Sequence, residues 1–170
     1  MTLLKTVLLR KLRTTLLPRQ PHRGPTLSQR ILLVDDEPAI LLTMKAILEM
    51  NGFDVVTAAS AAEAKLRLEA DSYHLVITDL KMENETSGFD VVRFAREQQY
   101  RPAVAILTAY PYLGNEWKAK GADSLFIKPV NMPELLARIE ALLARQQTTM
   151  RRDKKTSLAK GVQLPEATAT

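Results

Sequence analysis

His74-Leu75-Val76-Ile77-Thr78-Asp79 is a short apolar run closed by a carboxylate. Its length and β-branched content predict a strand buried on both faces, as in a parallel sheet covered by helices on each side. Two further runs end in the same manner. Arg30-Ile31-Leu32-Leu33-Val34 leads into Asp35-Asp36, and Leu125-Phe126-Ile127 into Lys128-Pro129. If the three runs are neighbouring parallel strands, their carboxyl ends lie side by side, and Asp35, Asp36, Asp79 and Lys128 converge on one spot. Adjacent carboxylates repel unless a cation neutralises them, and hard oxygen donors suit Mg²⁺ (or Mn²⁺) with phosphate oxygens and water completing its shell. A carboxylate can also act as the nucleophile of phosphoryl transfer.

Working outward, strands are expected at 31–34, 54–57, 75–78, 104–107 and 125–127, alternating with helical patterns. Pro38 to Met50 reads as a helix closed by Asn51-Gly52. Ala61 to Ala70 has Ser60 as cap and Glu63 completing a capping box. Phe89 to Gln98, a short stretch near Asn115 to Lys120, and Met132 to Ala144 behind an Asn131 cap follow. Repeated strand-helix alternation predicts an α/β fold: a doubly wound five-stranded parallel sheet with right-handed crossovers and helices on both faces.

The 170 residues suit one domain, contain no cysteine, and carry no apolar stretch of membrane-spanning length. The net charge of +5 is unevenly spread. Residues 1–30 carry seven Lys/Arg and no acid, whereas 31–145 carry twelve basic against seventeen acidic residues. Three regions follow: a basic extension and linker over 1–29, a folded domain over 30–145, and a basic tail over 146–170 that reads as disordered. Within the extension Leu3, Leu4, Val7, Leu8, Leu12 and Leu16 recur near helical spacing, with Lys5, Arg10, Lys11 and Arg13 among them. Residues 2–17 therefore fit a basic amphipathic helix suited to a membrane surface or a partner, or else a poorly ordered leader. The tail lacks the length and pattern of a helix-turn-helix, so no specific DNA binding is expected.

Taken together, Val34-Asp35-Asp36-Glu37-Pro38, Thr78-Asp79-Leu80-Lys81-Met82, Gly88-Phe89-Asp90, Leu107-Thr108-Ala109 and Gly121-Ala122-Asp123 with Ile127-Lys128-Pro129 resemble the receiver domain of two-component response regulators. The resemblance covers residues 30–145 and implies the flavodoxin-like (CheY-like) strand order 2-1-3-4-5. It implies Asp79 as phosphoacceptor, Asp36 as a direct Mg²⁺ ligand, Asp35 as a ligand acting mainly through water, and the Lys81 backbone carbonyl as a further ligand. Lys128 and the Thr108 hydroxyl are implied as partners of the phosphoryl oxygens, and the peptide before Pro129 is implied to be cis. Three departures stand out. Leu125 replaces the family's usual switch aromatic, Glu83 stands where proline is usual, and the Thr108–Gly121 segment is short and contains Pro111, so the fourth helix is expected to be shortened.

The implied function is that of a stand-alone, cytoplasmic phosphorelay receiver. It would take a phosphoryl group from a sensor histidine kinase or phosphotransfer protein and signal to a downstream protein, with a homodimer as a further option. Two alternatives stand beside it: a phosphorylation-independent adaptor of the same fold, and a Mg²⁺-dependent phosphohydrolase. The latter usually needs a second carboxylate close after the nucleophile and a cap, and here Leu80 and Lys81 follow Asp79. Each residue also has a plainer reading. Asp35-Asp36 fit an N-cap pair for the helix at Pro38, Thr108 a strand end, and Trp117 and Tyr112 packing residues. Neither His22 nor His74 suits a phosphodonor.

Overall fold

The computed structural model describes residues 28–109 and 114–160, with backbone alone for 153–160. Five strands and five helices alternate along this part of the chain: β1 (Arg30–Val34), α1 (Pro38–Met50), β2 (Asp54–Ala58), α2 (Ala61–Ala70), β3 (Leu75–Asp79), α3 (Ser87–Glu97), β4 (Ala103–Thr108), α4 (Glu116–Ala119), β5 (Ser124–Ile127) and α5 (Met132–Lys160). The strands pair in parallel in the order β2-β1-β3-β4-β5, the expected flavodoxin-like arrangement.

The strands are apolar on both sides because alternate residues feed two cores. Ile31, Leu33, Leu75 and Ile77 face α1 and α5, where they meet Met44, Leu48, Leu135, Ile139 and Leu143. Leu32, Val34, Val76 and Ile106 face α2 and α3, where they meet Ala64, Leu68, Val91, Val92 and Ala95. Each fully buried Leu or Ile contributes about 1.5–3 kcal/mol, so the paired cores hold the sheet between two helical layers.

Local chemistry sets the element ends. Gly52, at φ +88°, closes α1 in a Schellman turn: its N–H bonds Glu49 O at 2.9 Å and the Phe53 N–H bonds Leu48 O at 3.2 Å. Ser60 Oγ accepts the Glu63 N–H at 3.0 Å, while the Glu63 carboxylate accepts the N–H of Ala59, one residue before the cap. Asn131 Oδ1 accepts the Glu134 N–H at 3.2 Å and opens α5.

One difference from the sequence expectations concerns length. α5 runs to Lys160 rather than ending near Ala144, so the segment 146–160, expected to be disordered, is helical in the structure. It continues a helix already nucleated by packing at Leu135 to Leu143, so propagation adds one bond per residue. α4 is a single turn of four residues, in line with the expected shortening. The amphipathic segment 2–17, the linker up to residue 27, Pro111, Tyr112 and the last ten residues lie outside the described residues. Among the described residues no helix is long and apolar enough to cross a membrane.

Candidate functional site

Register places the site. Val34 stands opposite Thr78, Asp79 opposite Leu107, and Thr108 opposite Ile127. Asp35, Asp79, Thr108 and Lys128 therefore leave four adjacent strands at the same edge of the sheet.

Lys128 is the hub. Its Nζ lies 2.9 Å from Asp35 Oδ2 and 3.5 Å from Asp79 Oδ1. The Asp35 side chain is 2% exposed, that of Asp79 13% and that of Lys128 20%, so the cluster is shielded but open enough for a small ligand to reach Asp79. The Lys128 backbone N–H bonds Thr108 O at 2.7 Å, and the peptide joining Lys128 to Pro129 is cis. Thr108 itself is fully buried at the end of β4.

Electrostatics follow from this burial. Desolvation raises the Asp79 pKa and the neighbouring Asp35 charge adds to it, against the opposing pull of Lys128 and of the Leu80 N–H; the net shift is upward. Burial lowers the Lys128 pKa, but hydrogen bonding and charge from Asp35 and then Asp79 more than offset it, and the ammonium is held cationic.

Asp36 is exposed, whereas Asp35 is buried, and Lys128 pairs with Asp35 and Asp79 but not with Asp36. Nor is the acidic pair consumed as a helix cap. The cap position of α1 is Glu37, with no side-chain cap bond, and Asp35 Oδ1 instead accepts the Glu37 N–H at 2.9 Å.

The loop after Asp79 is built by contacts that no local pattern signals. Glu83 Oε1 accepts the Ala61 N–H at 2.8 Å, tying the loop to the first turn of α2. Burial raises the Glu83 pKa, but bonds from its own N–H, from Ala61 and from Ser87 outweigh this and hold it below the usual carboxylate range. Lys81 pairs with Glu85. Gly88 packs directly on the backbone: a Cβ there would stand 2.2 Å from Asp79 O and 2.6 Å from Leu80 Cα.

Leu125, at the expected aromatic position, is partly buried opposite Ile106. Trp117 packs partly against the α2–α3 core and donates its indole N–H to Gly114 O. His74 Nδ1 accepts the Arg30 N–H at 2.9 Å, a structural role.

Among the described residues no group of three or more acidic or histidine side chains forms a ready-made metal cage. The donor chemistry nevertheless fits Mg²⁺, which takes one or two carboxylates and keeps several waters rather than requiring an all-protein shell. Asp35 and Asp79 supply two carboxylates against the one ammonium of Lys128.

Residues 31–140 match the family model of the response regulator receiver domain. The alkaline phosphatase synthesis transcriptional regulatory protein PhoP of Bacillus subtilis is 32% identical over 126 residues, covering 71% of this chain and 51% of that protein. The transcriptional regulatory protein CpxR of Escherichia coli is 35% identical over 117 residues, covering 68% of this chain and 50% of that protein. The chain thus spans about half the length of these curated relatives. Among solved structures, a CheY-like receiver domain protein from Methanospirillum hungatei superposes with a TM-score of 0.66 at 31% identity, covering 72% of this chain and 98% of that one. The response regulator TrrA of Thermotoga maritima, crystallised with Mg²⁺ and BeF, gives a TM-score of 0.61 at 32% identity, covering 67% and 98%.

Proposed function

Because this chain belongs to the response regulator receiver domain family, we propose that it accepts a phosphoryl group on Asp79 from a phosphohistidine of a sensor kinase or phosphotransfer protein. A carboxylate oxygen of Asp79 attacks phosphorus, the phosphorus–nitrogen bond breaks, and the imidazole leaves with the electron pair. The product is an aspartyl phosphate, returned to the carboxylate by water with release of inorganic phosphate. The observation that carries this reading is the Lys128 ammonium held between Asp35 and Asp79 at the carboxyl edge of the sheet.

Lys128 balances the charge of Asp79 before transfer and that of the equatorial phosphoryl oxygens after it. Asp35 keeps Lys128 oriented from the buried side. Thr108, at the adjoining strand end, is the hydroxyl proposed to bond a phosphoryl oxygen. Mg²⁺, held by Asp35, Asp36, Asp79 and the Lys81 carbonyl, would neutralise charge shared between carboxylate and phosphate. Signalling then proceeds by contact with a downstream protein, in the cytoplasm, with no specific DNA binding by this chain.

A second reading, a phosphorylation-independent adaptor, draws support from Leu125 in place of an aromatic and from the single-turn α4. The test is to incubate the protein with acetyl phosphate and Mg²⁺, reduce the acyl phosphate with borohydride, and map the modified peptide. Modification at Asp79 supports the proposal; modification at another carboxylate, or at none, overturns it.

A further inference from the structure

The loop between β3 and α3 leads directly from Asp79 and carries the Lys81 carbonyl, yet its residues Glu83 to Thr86 are exposed. Exposed loops open easily unless their polar groups are bound, so the bonds of this one decide how firmly that side of the site is built. Several of them run within the loop. Asn84 Oδ1 accepts the Thr86 N–H at 2.9 Å and its hydroxyl at 3.0 Å, and Ser87 Oγ accepts the Asn84 N–H at 3.0 Å. Lys81 pairs with Glu85, and the Gly88 N–H returns to Leu80 O at 2.9 Å. Bonds of this kind fix the shape of the loop and not its place on the domain.

Glu83 supplies the place. Its Oε1 accepts the N–H of Ala61, the first residue of α2, at 2.8 Å across a separation of 22 positions in sequence. The opening N–H groups of a helix have no partner within it, and the positive end of the helix dipole favours a carboxylate there. The start of α2 is shared out accordingly: Ser60 Oγ accepts the Glu63 N–H, Glu63 accepts that of Ala59, and Glu83 accepts that of Ala61. The helix that receives this tie is itself fixed. Its Ala64 and Leu68 are buried in one core with Val34 and Val76 of the sheet. Glu83 stands four residues beyond Asp79 and two beyond Lys81, so an anchor at Glu83 acts on both through a short length of chain. At the other end of the loop Gly88 lies against the backbone of Asp79 and Leu80. The segment is thus pinned at two points, one at the sheet edge and one on α2.

We propose that Glu83 is a positioning residue of the site: by binding Ala61 it seats the β3–α3 loop on α2 and so presents the Lys81 carbonyl to Mg²⁺, a role that rests on the Mg²⁺-dependent reading of Asp79. Glu83 acts through the loop and not by contact with the reacting atoms.

Three variants of the full-length chain test this. Glu83→Ala removes the tie, Glu83→Gln keeps an oxygen for the Ala61 N–H while removing the charge, and Ser60→Ala uncaps α2 without touching the loop. The Mg²⁺ dissociation constant is read by titration calorimetry, and amide hydrogen exchange over 80–86 is read without Mg²⁺. In Glu83→Ala the expected result is Mg²⁺ binding weakened about tenfold and exchange over 80–86 accelerated about tenfold. Glu83→Gln is expected to bring both back to within about twofold of the parent chain, because the bond to the helix start survives. Ser60→Ala is expected to lower the melting temperature and leave both readings unchanged. Affinity and exchange that do not move in Glu83→Ala overturn the proposal. Losses in Ser60→Ala equal to those in Glu83→Ala overturn it in favour of a role in helix stability alone, and losses in Glu83→Gln equal to those in Glu83→Ala overturn it in favour of the carboxylate charge acting at a distance. Both readings judge Glu83 even in a chain that takes no phosphoryl group from acetyl phosphate, a result that would sink phosphoryl transfer to Asp79 on its own; a parent chain that binds no Mg²⁺ overturns the positioning role as well.

Discussion

Asp79 is 13% exposed, lies beside a second buried carboxylate, and has a pKa raised chiefly by that burial. A carboxyl whose folded pKa exceeds its unfolded one weakens the fold once ionised: the loss sets in as pH rises through the unfolded value and is complete above the folded one. Asp79→Asn is therefore expected to raise stability at neutral pH by roughly 0.5–2 kcal/mol while abolishing phosphoryl transfer, checked by urea denaturation at constant m. Phosphorylation by acetyl phosphate is expected to fall with pH starting above the range of an ordinary aspartate, as the nucleophile becomes protonated. Lys128→Ala has the opposite sign, since it strands the Asp35 side chain, 2% exposed, without its ion-pair partner. It is expected to cost about 3 kcal/mol in the same denaturation experiment. Asp35, Asp79 and Lys128 were legible in the sequence because each directly follows an apolar run, and parallel strands align their ends. The exposure of Asp36 and the bond from Ala61 to Glu83 were not legible, since both depend on loop paths that no periodicity encodes.

Element boundaries show the same division. Strands and caps with local signals, such as Ser60 with Glu63 or Asn51-Gly52, fall where the sequence places them because the partners lie within one turn. α3 begins at Ser87, ahead of the expected Phe89, because Gly88 presses on the backbone of Asp79 and Leu80 and its N–H bonds Leu80 O at 2.9 Å. Gly88→Ala drives a methyl into that backbone, and is expected to cost about 1–3 kcal/mol and to slow phosphorylation by displacing Asp79. Thermal melts together with acetyl phosphate kinetics check both effects. The length of α5 was missed because its distal half is polar and shows no apolar stripe, although no Gly or Pro stands before Gly161 to end it. Leu135, Ile139 and Leu143 anchor its proximal half in the core, whereas residues 147–152 are exposed. Amide hydrogen exchange is expected to be slow over 135–143 and fast over 147–160; equal protection along the helix would contradict this division.

At the scale of the whole molecule, two apolar layers fix a parallel sheet, and the sheet aligns four strand ends so that one ammonium faces two carboxylates. The fold is that of the receiver family, and the site is proposed to carry its chemistry with altered output surroundings at Leu125 and α4. The most direct test is the intact mass of the protein after exposure to acetyl phosphate, with and without Mg²⁺, beside Asp79→Ala. The proposed phosphoryl transfer to Asp79 predicts a gain of one phosphoryl group that requires Mg²⁺ and disappears in Asp79→Ala. An unchanged mass in the presence of Mg²⁺, or a gain that persists in Asp79→Ala, would contradict it.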